Sequence, residues 1–403
     1  MSLNGSQTSP WSAPEADDKT IPHAQQPLQF TDVFFGVLIL AVFPVPGAPA
    51  SLNVGQVATF LLILAASNRR PARSIPWLPI VLLALVTYLC LLSAFTIDTS
   101  AFGWEKRAIR LVGVLILLIF IVSGRIHARS LLVGIALGLI GNAVLFYARI
   151  APANYGPVAL TGYYLDKNQA GLMYAAMGIL ILALTRTIGQ RVAVILAFGA
   201  LTYLTGSRTA MAGFAGGVLW FALRPYLSVF GRIVIGVFVY LSVEFIERNF
   251  AQVGEFSTRA GSDWFRGQID AQSQIKLEST PWSGTGLGDA WVWVSGERFL
   301  FHNSYWSLLV EGGWIYLVTV LVLYLGFGLG IFRQGRAASL FDRAAEASLI
   351  PVLICATRLG EVFGATAATI ALAFSLIAYL DYTEQKISGI LPVKSLRRSK
   401  VEA

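Results

Sequence analysis

Runs of apolar residues at helix length recur along the chain at roughly 30–44, 51–67, 76–96, 108–123, 130–149, 168–185, 191–205, 209–223, 231–247, 304–332, 345–357 and 364–382. Runs of this length and apolarity read as helices that cross a membrane. Several fall short of the ~20 residues that a straight crossing needs, so some helices extend into interfacial residues. Twelve crossings are expected, with eleven or thirteen if short runs merge or split. Between the ninth and tenth runs the pattern breaks. The segment 248–302 is polar, with Trp264, Phe265, Ile269, Ile275 and Leu277 set among polar residues, which predicts a helix lying on a membrane surface. Thr280 to Gly288 then reads as turns.

Composition sharpens this picture. Of 403 residues, 56% are hydrophobic and 13% charged, against about a quarter charged in soluble domains. The expected fold class is an all-α polytopic membrane protein of about 12 transmembrane helices, with one large outer segment between helices 9 and 10. Residues 1–29 are polar and proline-rich and read as a disordered cytoplasmic tail. Residues 30–382 form the transmembrane domain, and 383–403 a basic cytoplasmic tail too short for a soluble domain. Cys90 and Cys355 both sit in apolar runs, so no disulfide framework is implied. The net charge of +8 needs no nucleic acid to explain it, because membrane proteins collect Lys and Arg on the cytoplasmic side.

Charge also orients the chain. With the N-terminus inside, every inner turn holds at least two basic residues: Arg69, Arg70 and Arg73; Arg125 and Arg129; Arg186 and Arg191; Arg224 and Arg232; Arg333, Arg336 and Arg343. Both termini are then cytoplasmic and 248–302 lies outside. Basic residues left on the outer side need another reason. Arg208 stands in the tight break Thr205-Gly206-Ser207-Arg208-Thr209, near membrane depth, where an unpartnered charge is unfavourable by a few kcal/mol. The even-numbered helices start on the outer side, near Lys167 and Asn168, at Ser207 and Arg208, at His302 and Asn303, and near Gly360 and Glu361. Helix starts favour anions, and arginine adds bidentate phosphate contacts. Arg259 and Arg266, seven apart, share a face if the stretch is helical.

His302 is the histidine that stands apart. His23 lies in the polar tail and His127 in a basic turn. His302 precedes a long apolar helix that Asn303 or Ser304 can cap, and the helix dipole disfavours a charged imidazole there. Arg298 nearby adds to that. A neutral imidazole beside a phosphate site is how a proton acceptor is arranged. No carboxylate cluster of metal-binding spacing stands on the outer side, so cationic side chains would have to neutralise a phosphate. Gly284, Gly286 and Gly288 lack the strand that a nucleotide loop requires.

The ordered set of Gly162 to Asn168 with Ala170 and Gly171, Gly206-Ser207-Arg208 with Gly213, Arg259 and Arg266 ahead of Pro281, and His302-Asn303 through Glu311 and Gly313 resembles the O-antigen ligase/polymerase superfamily of bacterial inner-membrane glycosyltransferases. By chain length it is most similar to the O-antigen ligases, over roughly 30–382. The resemblance implies transfer of a glycan from undecaprenyl pyrophosphate to a sugar of lipid A–core on the periplasmic face, inverting, with neither metal nor cofactor. It implies His302 as the catalytic base, Arg208 with Arg259 or Arg266 as pyrophosphate ligands, and Lys167, Asn168, Asn303 and Glu311 in support. An O-antigen polymerase or a protein O-oligosaccharyltransferase shares the motifs. A transporter for an anionic lipid is the reading from a different class, and it would call for an internal repeat that the sequence lacks.

Overall fold

The computed structural model describes residues 27–47, 52–96, 103–250, 260–331, 333 and 338–387. Most of both expected tails, Arg259 in the internal segment 251–259, and Arg336 lie outside the described residues. Within these limits the chain forms α1 (Phe30–Leu38), α2 (Val54–Ser67), α3 (Trp77–Phe95), α4 (Trp104–Val122), α5 (Ala128–Tyr147), α6 (Lys167–Leu180), α7 (Ile188–Leu204), α8 (Arg208–Leu223), α9 (Val229–Phe250) and α10 (Ala260–Ser279). A hairpin of β1 (Trp291–Val294) and β2 (Glu297–Leu300) follows, then α11 (Ser304–Leu321), α12 (Leu340–Cys355) and α13 (Thr366–Ile387). Each of the twelve apolar runs overlaps one of these helices, and the remaining helix, α10, is the polar one expected before His302.

Five helical stretches are long and apolar enough to cross a membrane: Trp77–Phe95, Ala128–Tyr147, Lys167–Leu184, Ser304–Gly328 and Thr366–Glu384. The chain is a mostly helical membrane protein. α1 has only 9 residues, about 14 Å of helix. It lies against α5 so closely that a Cβ on Gly134 would stand 2.2 Å from the Val33 carbonyl oxygen. Helix starts are set by local chemistry. Asn53, Thr187 and Ser339 close capping boxes with Gln56, Gln190 and Asp342, and Asp166 accepts the N–H groups of Asn168 and Gln169.

The hairpin departs from a purely α-helical fold. Trp291-Val292-Trp293-Val294 alternates at strand period, and Ser295 and Gly296 supply φ of 52° and 85°, the positive pair of a type I′ turn. Trp293 faces Arg298 across it. α10 packs on this hairpin through a small apolar cluster of its own, in which Ile269, Ala290, Val292, Val294, Phe301 and Val310 are buried.

Charged side chains gather at the two ends of the bundle. One end holds Arg107, Glu311, Glu361 and His302. At the other, Asp32 accepts from Arg69 at 2.8 Å and from the His127 N–H at 2.7 Å, Arg73 pairs with Asp381, and Arg224 pairs with Glu346.

Candidate functional site

His302 is fixed from both sides. Before it, Phe301 is 1% exposed in the small cluster and donates its N–H to the Ala290 carbonyl at 3.1 Å. After it, Asn303 accepts from the Tyr305 and Trp306 N–H groups at 2.9 and 3.2 Å, capping α11. Ser304 donates its N–H to the Ala356 carbonyl at 2.8 Å, and its hydroxyl joins the Leu359 carbonyl to the Val362 N–H. The imidazole therefore sits where α10, the hairpin, the start of α11 and the end of α12 meet. Its Nδ1 is buried and has no hydrogen-bond partner among the described residues.

The charges facing it come chiefly from α10. Arg266 and Asp270 are four residues apart and share one face of that helix. Asp270 also meets Arg358, beyond the end of α12, at 4.0 Å. Burial holds the His302 imidazole below its ordinary value, the Arg266 guanidinium pushes it lower, and Asp270 opposes both. Burial raises the Asp270 carboxyl above the usual carboxylate range, against the pull of His302, Arg358 and Arg266. His302 is thus a neutral base at neutral pH, with a cation beside it. Arg298 does not contribute as expected. Its guanidinium stacks 4.9 Å from the ring centres of both Trp291 and Trp293, within the hairpin.

Arg266 also reaches toward the loop before α6. Tyr155 donates its hydroxyl to the Asp166 carboxylate at 2.8 Å, and Lys167 lies 5.2 Å over the Tyr155 ring. Burial and Asp166 push the Tyr155 hydroxyl up to about 12, while Arg266 acts in the other direction. The start of α6 is seated on the break before α8, where a Cβ on Gly171 would come within 2.8 Å of the Ser207 Cβ. Lys167, Asn168 and Arg208 thus open neighbouring helices at the His302 end.

Glu311 has a structural position. It is 2% exposed, takes the Arg107 guanidinium at 2.8 Å and accepts the Gly288 N–H at 3.0 Å. The next two residues break the helix, Gly313 with φ of 61°, and the Gly284–Gly288 turn docks into that break. Thr285 donates its N–H to the Val310 carbonyl at 2.7 Å, and Trp314 donates to that of Trp282 at 3.0 Å. Arg107 and Arg110 both bind Glu361, holding its carboxyl low despite burial. A small cleft of about 40 Å³ opens among Arg107, Arg110, Ser304, Ser307, Glu311 and Glu361.

The structure thus brings His302 and Arg266 together, with Lys167 and Asn168 nearby through Tyr155. It places Arg208 at the same end, makes Asn303 a helix cap, and puts Glu311 in the α11 break. Arg259 lies outside the described residues. Asp270 and Tyr155 were missed from the sequence; the four-residue step from Arg266 was the available signal for Asp270. The chain matches no family model, no curated protein and no solved structure.

Proposed function

We propose that this protein is a bacterial inner-membrane glycosyltransferase of the O-antigen ligase kind. In this reading it moves a glycan from undecaprenyl pyrophosphate to a sugar of lipid A–core. The observation that carries the reading is a buried imidazole at the capped start of α11, its Nδ1 without a hydrogen-bond partner among the described residues, within electrostatic reach of Arg266. The acceptor hydroxyl oxygen attacks the anomeric carbon of the glycan, and the carbon–oxygen bond to the pyrophosphate breaks. His302 takes the hydroxyl proton, and the anomeric configuration inverts. Arg266, with Arg208 and Arg358 at the same end, balances the charge that grows on the departing pyrophosphate.

The carboxylates nearest the site already serve cations: Glu311, Glu361 and Asp270 each face an arginine. This supports transfer without a divalent metal. In the same reading the chain crosses the membrane twelve times, keeps both termini in the cytoplasm and turns the His302 end to the periplasm. Trp264, Ile275, Trp282 and Trp293, each more than half exposed, then settle the α10 and hairpin region at the membrane interface.

Purified protein in EDTA, given undecaprenyl-pyrophosphate-linked glycan and lipid A–core, should join the two. Arg266→Ala should lower the rate by about 10²–10³-fold, as loss of one charge-stabilising donor does. Transfer that needs an added metal, or an Arg266→Ala protein at wild-type rate, would remove the support for this assignment.

A further inference from the structure

The end of the bundle opposite His302 holds more cationic charge than it neutralises. Arg224, at the end of α8, is 1% exposed and directs Nε and Nη2 to Glu346. Its Nη1 is buried with no hydrogen-bond partner among the described residues. Glu346 is itself shared, because Arg333 donates to it at 3.2 Å and to Asp342 at 2.9 Å. Arg232 lies within electrostatic reach of Arg224, Arg333 and Glu346, and gives its own N–H groups to the Gly330 and Arg333 carbonyls. Asp381, the carboxylate next to Asp342, is taken by Arg73.

Two further arginines close in from α7 and α12. Arg343 donates Nε to the Phe221 carbonyl at 3.0 Å, stacks 4.4 Å over the Phe221 ring, and feels both Arg191 and Arg224. Arg191 has a buried Nε without a partner among the described residues. Neither Arg191 nor Arg343 meets a carboxylate within ion-pair distance among those residues. Arg224, Arg232 and Arg333 therefore share Glu346 and Asp342, while Arg343 stands beside Arg224, and Arg191 beside Arg343, without a carboxylate of their own among the described residues. A preference for basic residues on one side of a membrane accounts for exposed charge in turns. It does not account for guanidinium nitrogens buried without an acceptor, which is strongly unfavourable unless an anion supplies one.

We infer that Arg191, Arg224 and Arg343 form a binding site for a phosphate group, the headgroup of an anionic phospholipid. The guanidinium fork suits two phosphate oxygens at once. Apolar side chains for acyl chains stand at its edge: Ile188, one turn before Arg191, is 74% exposed, and Tyr226, which is within reach of Arg343, is 73% exposed. The site is far from His302 along the bundle and does not depend on the transferase reading.

Lipid-depleted protein in neutral detergent tests this by native mass spectrometry and thermal unfolding with three additions: phosphatidylglycerol, phosphatidylcholine and inorganic phosphate. Phosphatidylglycerol should bind and raise Tm, while net-neutral phosphatidylcholine should do neither. The double variant Arg191→Gln/Arg343→Gln keeps the Arg224–Glu346 pair and should bind phosphatidylglycerol about 30-fold more weakly, the effect of two charges beside an anionic headgroup. If that protein does not fold, Arg343→Lys, which keeps the charge without the fork, should show a smaller loss in the same direction. Inorganic phosphate matching phosphatidylglycerol would support the phosphate site and reassign its occupant to free phosphate. Equal phosphatidylglycerol binding by wild type and variant, or binding of neither anion, would overturn the inference.

Discussion

At the scale of single residues, burial holds the His302 imidazole below its ordinary value, and the opposing charges of Arg266 and Asp270 adjust it. Arg266 pushes the imidazole down and Asp270 pulls it up. Removing the carboxylate in Asp270→Asn should lower the imidazole further, so the acid limb of the pH–rate profile should move to lower pH. Removing the cation in Arg266→Gln should move the limb to higher pH, on top of its loss of rate. Initial rates across pH 5 to 8.5 read both shifts, and limbs that stay in place, or move the other way, would detach these residues from the base. His302 was legible in the sequence because a capping Asn follows it and an apolar run begins there. Asp270 was not, because its relevance depends on α10 folding back over the α11 start. Arg298 misled for the same reason. It stands four positions before His302, but hairpin pairing turns its guanidinium onto Trp291 and Trp293.

At the scale of elements, the break in α11 decides how the outer segment sits. Gly313 holds φ of 61°, and a Cβ there would stand 2.0 Å from the Trp282 carbonyl oxygen. Gly313→Ala combines backbone strain with a backbone clash, so it should destabilise the protein by about 3 kcal/mol. It should also displace the Gly284–Gly288 turn and lower activity. Thermal unfolding in detergent measures the first effect, and an unchanged Tm would mean that the break tolerates a side chain. The glycine-rich stretch was readable as a turn from its composition. Its receptor was not, since a Glu-Gly-Gly step inside an apolar run looks like uninterrupted helix until another segment fills the gap. The hairpin was legible in principle: Trp-Val-Trp-Val ahead of Ser-Gly is strand alternation followed by a turn.

At the scale of the whole molecule, the positions of the helices follow from the apolar runs, because a lipid-facing or buried helix leaves a continuous mark. The depth of each helix in a membrane does not follow, and α1, α2 and α7 are short beside the five longest apolar stretches. The proposed orientation puts the His302 end in the periplasm. In a background with Cys90→Ser and Cys355→Ser, a membrane-impermeant thiol reagent should label Trp293→Cys in intact cells and Tyr226→Cys only after lysis; both positions are more than half exposed. The reverse pattern would invert the protein and remove the periplasmic site.

The proposed general-base role of His302 is tested by transfer rates for wild type, His302→Ala and His302→Gln across roughly pH 5 to 8.5. A positioned base contributes about 10²–10⁴-fold, so both variants should fall by that order and to similar levels while still binding the lipid-linked donor. Wild-type activity should fall as the imidazole gains its proton, with a midpoint below the ordinary 6.5, and that limb should be missing from both variants. Near-normal turnover by His302→Gln would contradict the account and leave His302 as a hydrogen-bonding residue that only positions the substrate.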